Sequence, residues 1–297
     1  MNQNTVTNRF FYIWMPAIIH QIGLIAASMV SAFIFIFMYF SKNPEQAEQA
    51  LVDRSVMEKV LEEVLKIANE NVVITTGIAC LCLLPIFIYM FRKDEAKRKA
   101  AGVVYSKKAP VFMYVSLLLF CLCSHYVLQN IINLSEITTK VESYEAVQRT
   151  LYAKGIGVQI LVLGILNPIC EELIYRGLIF RRERESGGFL QAGIFSSLIF
   201  SVVHGNMVQM IYAFVVGILL AYLYEKFGSV WAPIAGHIIM NMTSVLLTYF
   251  KFYQVIYQNI TFVMISTVLV AGGAAIIFLW IRNIEEQQET IVKNEEQ

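Results

Sequence analysis

The sequence has few charged residues and very few histidines. Only 15% of its 297 residues are Asp, Glu, Lys or Arg, against 57% hydrophobic residues, and there are four histidines. Ordinary soluble domains carry about 25% charged residues, so this composition predicts a polytopic membrane protein surrounded by membrane lipids. The formal net charge is +1, and the basic residues form no patch interleaved with aromatic residues. No nucleic-acid partner is therefore expected.

Cysteines are also scarce, and their placement excludes a disulfide framework. All five lie inside or at the edge of apolar runs, with no spaced pairs in loops. Two Cys-X-Cys pairs occur. Residues two apart on a helix point about 200° away from each other, so the two thiols of one pair are not expected to bind the same metal ion. The cysteines are interpreted as small buried hydrophobic residues.

Eight apolar runs are long enough, or nearly so, to cross a bilayer core, which needs about 20 helical residues. The first is longer than a signal-peptide core and lacks a small-residue cleavage site, so we interpret it as a membrane span. The polar segment 41–71 has valines at every fourth residue, which predicts an amphipathic helix on the membrane or capping the bundle. An all-α fold in a single membrane domain over 1–297 is predicted. Its expected spans are 11–40, 72–91, 111–134, 156–180, 189–204, 208–224, 230–250 and 255–281.

Lys and Arg are unevenly distributed between alternate loops. If the spans alternate, one side collects fourteen of these residues and the other eight, with Arg176 inside a span. Loops rich in Lys and Arg face the cytoplasm. Both termini, which lie on the more basic side, are therefore predicted to be cytoplasmic.

One motif, Asn-Pro-Ile-Cys-Glu-Glu-Leu-Ile-Tyr-Arg-Gly, places ionisable residues inside an apolar run. An ionisable group at bilayer depth costs about 2.5 to 3.5 kcal/mol on insertion scales, so such residues by default have a function. Glu172 and Arg176 are four residues apart and should pair, which can also be a purely structural role. Glu171 points about 100° away and has no obvious local partner, so it is the candidate reacting group. Pro168 should free the carbonyl group of Gly164.

Two histidines lie on other predicted spans, each beside a further candidate residue. His204 follows Phe200 by four residues, and His237 precedes Asn241 by four, so each pair shares a helical face. At 1.5 Å per residue from the basic side, Glu171 and His237 lie roughly 14 and 10 Å deep, but His204 lies roughly 22 Å deep. The depth of His204 is the poorest fit to a shared site.

This set of residues suits two chemistries. A Glu beside a neutral His can activate water as a general base, and a second His with an Asn amide can stabilise an oxyanion. Alternatively, Glu171, His204 and His237 can ligate zinc, because carboxylate and imidazole suit that metal. The helical motif His-Glu-X-X-His is absent. The other two histidines, His20 and His125, are interpreted as hydrogen-bonding groups between helices.

In these three blocks the sequence resembles the CAAX protease and bacteriocin-processing enzyme family (CPBP, also called Abi), in particular type II CAAX prenyl endopeptidases. The family pattern is Glu-Glu-X-X-X-Arg, Phe-X-X-X-His and His-X-X-X-Asn on successive helices. All three blocks occur here in order within one 71-residue stretch. The matching residues are Glu171, Glu172, Arg176, Phe200, His204, His237 and Asn241.

The resemblance implies an intramembrane endopeptidase with a membrane-embedded cavity open to the cytoplasm. Glu171 and His204 would activate water, and His237 and Asn241 would stabilise the oxyanion, with Glu172, Arg176 and Phe200 in support. The chain would then divide into four parts. These are variable helices over 10–134, a catalytic core over 156–250, a last helix over 255–281 and an acidic tail over 285–297.

Several alternatives stay open at this point. The family has been described both as glutamate-dependent and as metal-dependent, so no cofactor is certain and zinc is the candidate. Some members act as scaffold or bacteriocin self-immunity proteins without known cleavage. The compact length and short loops resemble the bacterial branch, which implies a bacterial cell membrane and a peptide or membrane-protein substrate. A transporter that uses Glu171 as an ion carrier is a third class, but no inverted repeat is visible.

Overall fold

The computed structural model describes residues 3–104, 108–284 and 290–291, and nearly all of them are helical. A short antiparallel pair, β1 (Val103–Val104) with β2 (Thr290–Ile291), accompanies the helices. The all-α prediction is confirmed. The predicted acidic tail lies outside the described residues apart from β2. The helices are α1 (Gln3–Lys42), α2 (Pro44–Ala50), α3 (Arg54–Glu70), α4 (Val72–Ala100), α5 (Met113–Leu134), α6 (Ile137–Lys140), α7 (Glu142–Leu151), α8 (Ile156–Gln159), α9 (Asn167–Glu172), α10 (Arg181–Arg184), α11 (Phe189–Val202), α12 (Met207–Phe227), α13 (Trp231–Tyr249), α14 (Phe252–Ile256) and α15 (Ile260–Arg282).

Among the described residues, six helical segments are long and apolar enough to cross a membrane, which confirms a polytopic membrane protein. The predicted count of eight spans is not reached within this part of the chain. α11 has 14 residues, fewer than the about 20 that a span needs. α13 has 19 residues, but its polar positions lower its mean hydropathy. The six segments are Arg9–Lys42, Val72–Ala100, Met113–Leu134, Ile156–Arg184, Met207–Phe227 and Ile260–Arg282.

The polar segment 41–71 forms α2 and α3, as its valine spacing predicts. Val60 and Val64 of α3 are buried against aromatic residues of α1, among them Phe35. The glutamate residues of α3 stay exposed on the other faces. The amphipathic helix is confirmed, and its apolar face packs on α1.

The segment Ile156–Arg184, here called the glutamate helix, is continuous but contains two π-helical stretches. α8, α9 and α10 are joined by two π-helical stretches, Ile160–Leu166 and Leu173–Phe180. Such stretches are rare and occur frequently at functional sites. The six residues of α9, which include both glutamates, lie between the two stretches.

Ion pairs tie several helices together at one end of the bundle, here called the basic end. Arg182 of α10 donates to Asp94 of α4 at 2.7 Å and to the carbonyl oxygen of Tyr12 in α1. Arg98 of α4 donates to Glu185 just after α10, at 2.9 and 3.1 Å. Because both arginines are buried, these bonds fix the start of α1 and the ends of α4 and the glutamate helix relative to each other.

Neutral polar groups dominate the contacts at the opposite end, here called the polar end. Tyr152, after α7, and Ser244 of α13 have hydroxyl oxygens 3.2 Å apart. Asn133 of α5 donates to the hydroxyl of Tyr257 at 2.9 Å, and Tyr257 donates to Asn130 at 2.6 Å. The connecting segments after α5 and α13 are thereby held over the bundle.

Candidate active site

Glu172 is the point at which three helices are joined. One of its carboxylate oxygens, Oε1, accepts from a terminal guanidinium nitrogen of Arg176 and from Nδ1 of His237, both at 2.8 Å. Arg176 also donates to the carbonyl oxygen of Gly217 in α12 at 3.1 Å. Glu172 and Arg176 are completely buried. The predicted pair of Glu172 with Arg176 is confirmed, and it holds the glutamate helix against α12 and α13.

Glu171 points in a different direction from Glu172 and has its own partners. Asn167, four residues earlier, donates to Oε1 of Glu171 at 3.0 Å. The other oxygen, Oε2, lies 3.7 Å from Nε2 of His237. The expectation that Glu171 lacks a local partner is wrong, because residues four apart on a helix are neighbours. That spacing was the signal in the sequence that could have found Asn167.

His204 lies in the turn after α11, where the backbone fixes the orientation of its ring. Its Nδ1 lies 2.7 Å from the carbonyl oxygen of Phe200. A carbonyl oxygen can only accept, so Nδ1 carries the proton and the neutral ring has its free electron pair on Nε2. His204 therefore presents a proton acceptor at Nε2.

Phe200 is the packing centre of the site. Its ring is edge-on to the rings of His204 and His237, at centroid distances of 4.8 and 5.8 Å. The guanidinium carbon of Arg176 lies 4.6 Å from the centroid of the same ring. Phe200 is buried. One aromatic side chain thus contacts a candidate residue from each of three helical segments.

Asn241 donates a hydrogen bond to the glutamate helix, close to the backbone position that Pro168 was predicted to leave open. Its amide nitrogen donates to the carbonyl oxygen of Leu163 at 3.0 Å. In the π-helical stretch the N–H of Asn167 bonds five residues back, to Val162. The next donor in that register would be Pro168, which has no N–H. In this register the carbonyl group that Pro168 leaves without a backbone donor is that of Leu163. In an α-helical register it would have been that of Gly164.

A cavity of about 810 Å³ is lined by the candidate residues. Glu171, His204, His237 and Asn241 all line it. Its lining also contains polar residues that the sequence analysis did not single out, because they lie on segments without a motif. Among them are Gln129, Tyr144, Tyr152, Tyr212, Tyr253 and Gln254. The larger depth calculated for His204 does not separate it from this shared cavity.

His125 and His20 were both predicted to form hydrogen bonds between helices, and the structure agrees for only one of them. His125 bonds through Nδ1 to the hydroxyl group of Tyr212 at 2.8 Å and faces the hydroxyl of Tyr253 at 3.4 Å, which confirms the interpretation. For His20 the interpretation is wrong. Both of its ring nitrogens are buried and have no hydrogen-bond partner among the described residues.

The cavity extends toward the polar end of the bundle. Its lining includes Thr138, Tyr144 and Gln148 from the segment between α5 and α8, and Gln254 and Tyr257 from that between α13 and α15. The basic loops lie at the other end. The sequence analysis placed both the basic loops and the cavity mouth on the cytoplasmic side. The structure separates them, so the two predictions cannot both hold.

The proposed zinc ligands Glu171, His204 and His237 are not arranged as a metal site. Zinc holds nitrogen and oxygen ligands at about 2.0–2.2 Å, so the ligand atoms must lie within roughly 4 Å of each other. Within the described ranges, one group of three His, Cys, Asp or Glu residues has ligand atoms all within 4.8 Å, and it does not contain these residues. Nδ1 of each histidine is bonded, to Phe200 and to Glu172, which leaves Nε2 of both available to the cavity. The arrangement fits an acid, a base and hydrogen-bond donors.

Comparisons with known proteins match the region that contains the three motif blocks to a family. Residues 154–243 match the family described as type II CAAX prenyl endopeptidase Rce1-like. The chain is 35% identical over 88 residues to a Bacillus subtilis (strain 168) protein named "Putative membrane peptidase YdiL". That match covers 30% of this chain and 36% of the relative, so the similarity extends over about a third of each protein. No solved structure matches the chain.

Proposed function

Residues 154–243 belong to the Rce1-like family, and on this premise we propose that the protein is an intramembrane endopeptidase that cleaves a membrane-delivered peptide by protein-activated water. One observation carries the proposal. Glu171, His204, His237 and Asn241, from three helical segments, line one cavity. An enzyme that hydrolyses a peptide bond needs a base, a water site and oxyanion donors within reach of one carbonyl group.

Glu171 and His204 are the proposed water-activating groups. The water donates one hydrogen bond to Glu171 and one to Nε2 of His204, which is an acceptor because Nδ1 is bonded to the Phe200 carbonyl. As the water oxygen attacks the peptide carbonyl carbon, one water proton moves to Glu171. The carbon–nitrogen bond then breaks, and Glu171 returns the proton to the leaving amine. Such acid–base assistance contributes about 10²–10⁴-fold to a rate.

His237 and Asn241 are the proposed oxyanion donors. Nδ1 of His237 is engaged with Glu172 at 2.8 Å and Nε2 faces Glu171 and the cavity, so the ring donates to the oxyanion only when Nε2 also carries a proton. The Asn241 amide uses one N–H on Leu163 and has a second N–H to offer. In a site that excludes water, a donor of this kind contributes about 3 kcal/mol. Glu172, Arg176 and Phe200 act as positioning residues that hold His237.

The substrate class we propose is a peptide or membrane-protein segment without a requirement for a prenyl group. The cavity volume of about 810 Å³ lies within the about 300–1,000 Å³ of typical ligand sites. Its lining combines polar and tyrosine side chains with apolar ones, which suits the backbone and the apolar side chains of a membrane-protein segment. We further propose a bacterial cell membrane with both termini in the cytoplasm. This orientation puts the cavity mouth on the outer face.

The test compares cells that carry the wild-type protein, Glu171→Gln, His204→Ala or Glu58→Gln. Glu58 is exposed on α3 and forms an ion pair with Arg54 at the surface, so its variant is the matched control for loss of one carboxylate. Peptide termini newly generated in the membrane fraction are quantified by mass spectrometry. We expect termini that are present with wild type and Glu58→Gln and absent with Glu171→Gln and His204→Ala, together with accumulation of the uncut precursor. Unchanged termini in Glu171→Gln would refute the mechanism.

The second candidate function, a non-catalytic scaffold or self-immunity protein, makes the opposite prediction for the same variant. A scaffold depends on the folded bundle and not on the Glu171 carboxylate. Its phenotype would be retained when Glu171→Gln is inserted in the membrane at the wild-type level. Membrane insertion of each variant is therefore measured alongside cleavage.

A further inference from the structure

A second cluster of reactive side chains lies beside the cavity and is not used by the proposed hydrolysis. It contains His20 of α1, Cys80 of α4 and Cys170 of the glutamate helix. One ligand atom from each lies within 4.8 Å of the other two. The three residues are 3%, 1% and 0% exposed, respectively. Three helices that are far apart in the sequence thus bring an imidazole and two thiols together in the interior.

Within this cluster, His20 is the residue whose polar atoms lack hydrogen-bond partners among the described residues. Neither Nδ1 nor Nε2 has a hydrogen-bond partner in the described chain, although both atoms are buried. Leaving a buried polar group without a partner is energetically unfavourable. Its ring lies edge-on to Phe87 at a centroid distance of 6.2 Å, which offers no acceptor or donor. A ligand that accepts the electron pair of an imidazole nitrogen would complete this environment.

We propose that His20, Cys80 and Cys170 form a binding site for one zinc ion. Two thiolates and an imidazole are a donor set that zinc prefers. The charges also favour a divalent ion, because two thiolates and Zn²⁺ sum to zero, whereas a monovalent copper ion would leave one buried negative charge. Unpaired buried charges are costly, so the apolar interior selects the neutral complex.

The dimensions of the cluster are close to those of an occupied site. With zinc–sulfur and zinc–nitrogen distances of about 2.3 and 2.0 Å, tetrahedral ligand atoms lie roughly 3.3–3.8 Å apart. The ligand atoms therefore need to approach each other by about 1.5 Å at most. His20 and Asn167 line the cavity, which gives the ion a path of entry. Oδ1 of Asn167 lies 3.6 Å from the sulfur of Cys80 and is the nearest candidate for a fourth ligand.

The site would act as a structural clamp next to Glu171. Cys170 directly precedes Glu171, and the amide of Asn167 connects the sulfur of Cys80 to Oε1 of Glu171. A bound ion would fix α1 and α4 against α9. These ligands are separate from Glu171, His204 and His237, so the ion takes no part in the proposed attack on the peptide bond.

The experiment uses the full-length protein, purified without a histidine tag under reducing conditions. Bound zinc is counted by elemental mass spectrometry, and Co²⁺ is then exchanged into the protein as a spectroscopic probe. We expect about one metal ion per chain and a thiolate-to-cobalt absorption band in the near ultraviolet that disappears when Zn²⁺ is added. Cys80→Ser and Cys170→Ser should each lose most of this band.

Cys121→Ser is the matched control, because Cys121 is a buried cysteine in another core cluster, and it should keep the band. Glu171→Gln should also keep the cobalt band. The proposed metal site and the proposed hydrolysis mechanism are therefore tested independently of each other. Wild-type protein with no zinc and no thiolate–cobalt band would overturn the proposal, and this result does not depend on the folding of any variant. Recovery of the chain with a disulfide between Cys80 and Cys170 would also overturn it.

Discussion

Asn241 donates its side-chain amide to the carbonyl oxygen of Leu163, the backbone acceptor that Pro168 leaves without a partner. The proline removes a donor from the glutamate helix, and a side chain from α13 supplies another. The residue that the family resemblance assigns to oxyanion binding therefore also stabilises the helix that carries Glu171 and Glu172. The two roles can be separated experimentally.

The structural role of Asn241 predicts that its effect on stability depends on Pro168. Asn241→Ala leaves the Leu163 carbonyl unpaired and should lower the free energy of unfolding by about 1–3 kcal/mol. In a Pro168→Ala background the backbone N–H of residue 168 can bond to Leu163, so the same change should cost less. Thermal unfolding in detergent of the wild type, both single variants and the double variant measures the coupling. Strictly additive effects would contradict this account.

Disrupting the buried pair of Glu172 with Arg176 should be far more damaging than disrupting an exposed pair. Glu172→Gln leaves the Arg176 guanidinium buried without a countercharge, which costs about 3–5 kcal/mol. The exposed pair of Arg54 with Glu58 has the same spacing, with side chains 91% and 62% exposed. Arg54→Gln should change stability by less than about 1 kcal/mol. Similar melting temperatures for the two variants would show that the buried pair does not hold the bundle.

A methyl group at Gly217 should disturb both helix packing and the position of Arg176. A Cβ atom there would lie 2.8 Å from Ser197 and 3.2 Å from a guanidinium nitrogen of Arg176. Gly217→Ala should therefore destabilise the protein by about 1–3 kcal/mol, as overpacking does elsewhere.

Gly272 in α15 provides the control for the packing prediction, since nothing lies within 4 Å of a Cβ atom at that position. Gly272→Ala should leave the melting temperature unchanged or raise it, because alanine favours the helix by about 0.5–1 kcal/mol. Unfolding of both variants is followed in the same detergent. Equal effects at the two positions would rule out a specific contact at Gly217.

The proposed orientation predicts which end of the bundle is accessible from outside the cell. Lys140, the last residue of α6 at the polar end, and Ser186, after α10 at the basic end, are both exposed. Intact cells carrying Lys140→Cys should react with a membrane-impermeant maleimide, and those carrying Ser186→Cys should react only after permeabilisation. Unsubstituted protein gives the background from the native cysteines. The reverse pattern would place the cavity mouth in the cytoplasm and refute the orientation derived from charge.

The sequence alone determined the fold class and identified the candidate residues that carry local patterns. Long apolar runs require helices, because backbone groups in lipid must be hydrogen-bonded within the chain. The pairing of Glu172 with Arg176 was predictable because it depends only on a spacing of four residues. The same spacing contains the Asn167–Glu171 bond, which joins an amide and a carboxylate and so carries no pattern of opposite charges.

Tertiary structure decided the relationships that join residues distant in the sequence. The bond between His237 and Glu172, the shared cavity and the cluster of His20 with Cys80 and Cys170 each depend on how separate helices pack and rotate. The partner of Asn241 depended on a change from α-helical to π-helical register. Loop charge suggested one cytoplasmic side, but only the packed bundle revealed that the cavity extends toward the opposite end. Helical periodicity fixes which residues share a face, whereas contacts between helices are set by side-chain packing that no single segment encodes.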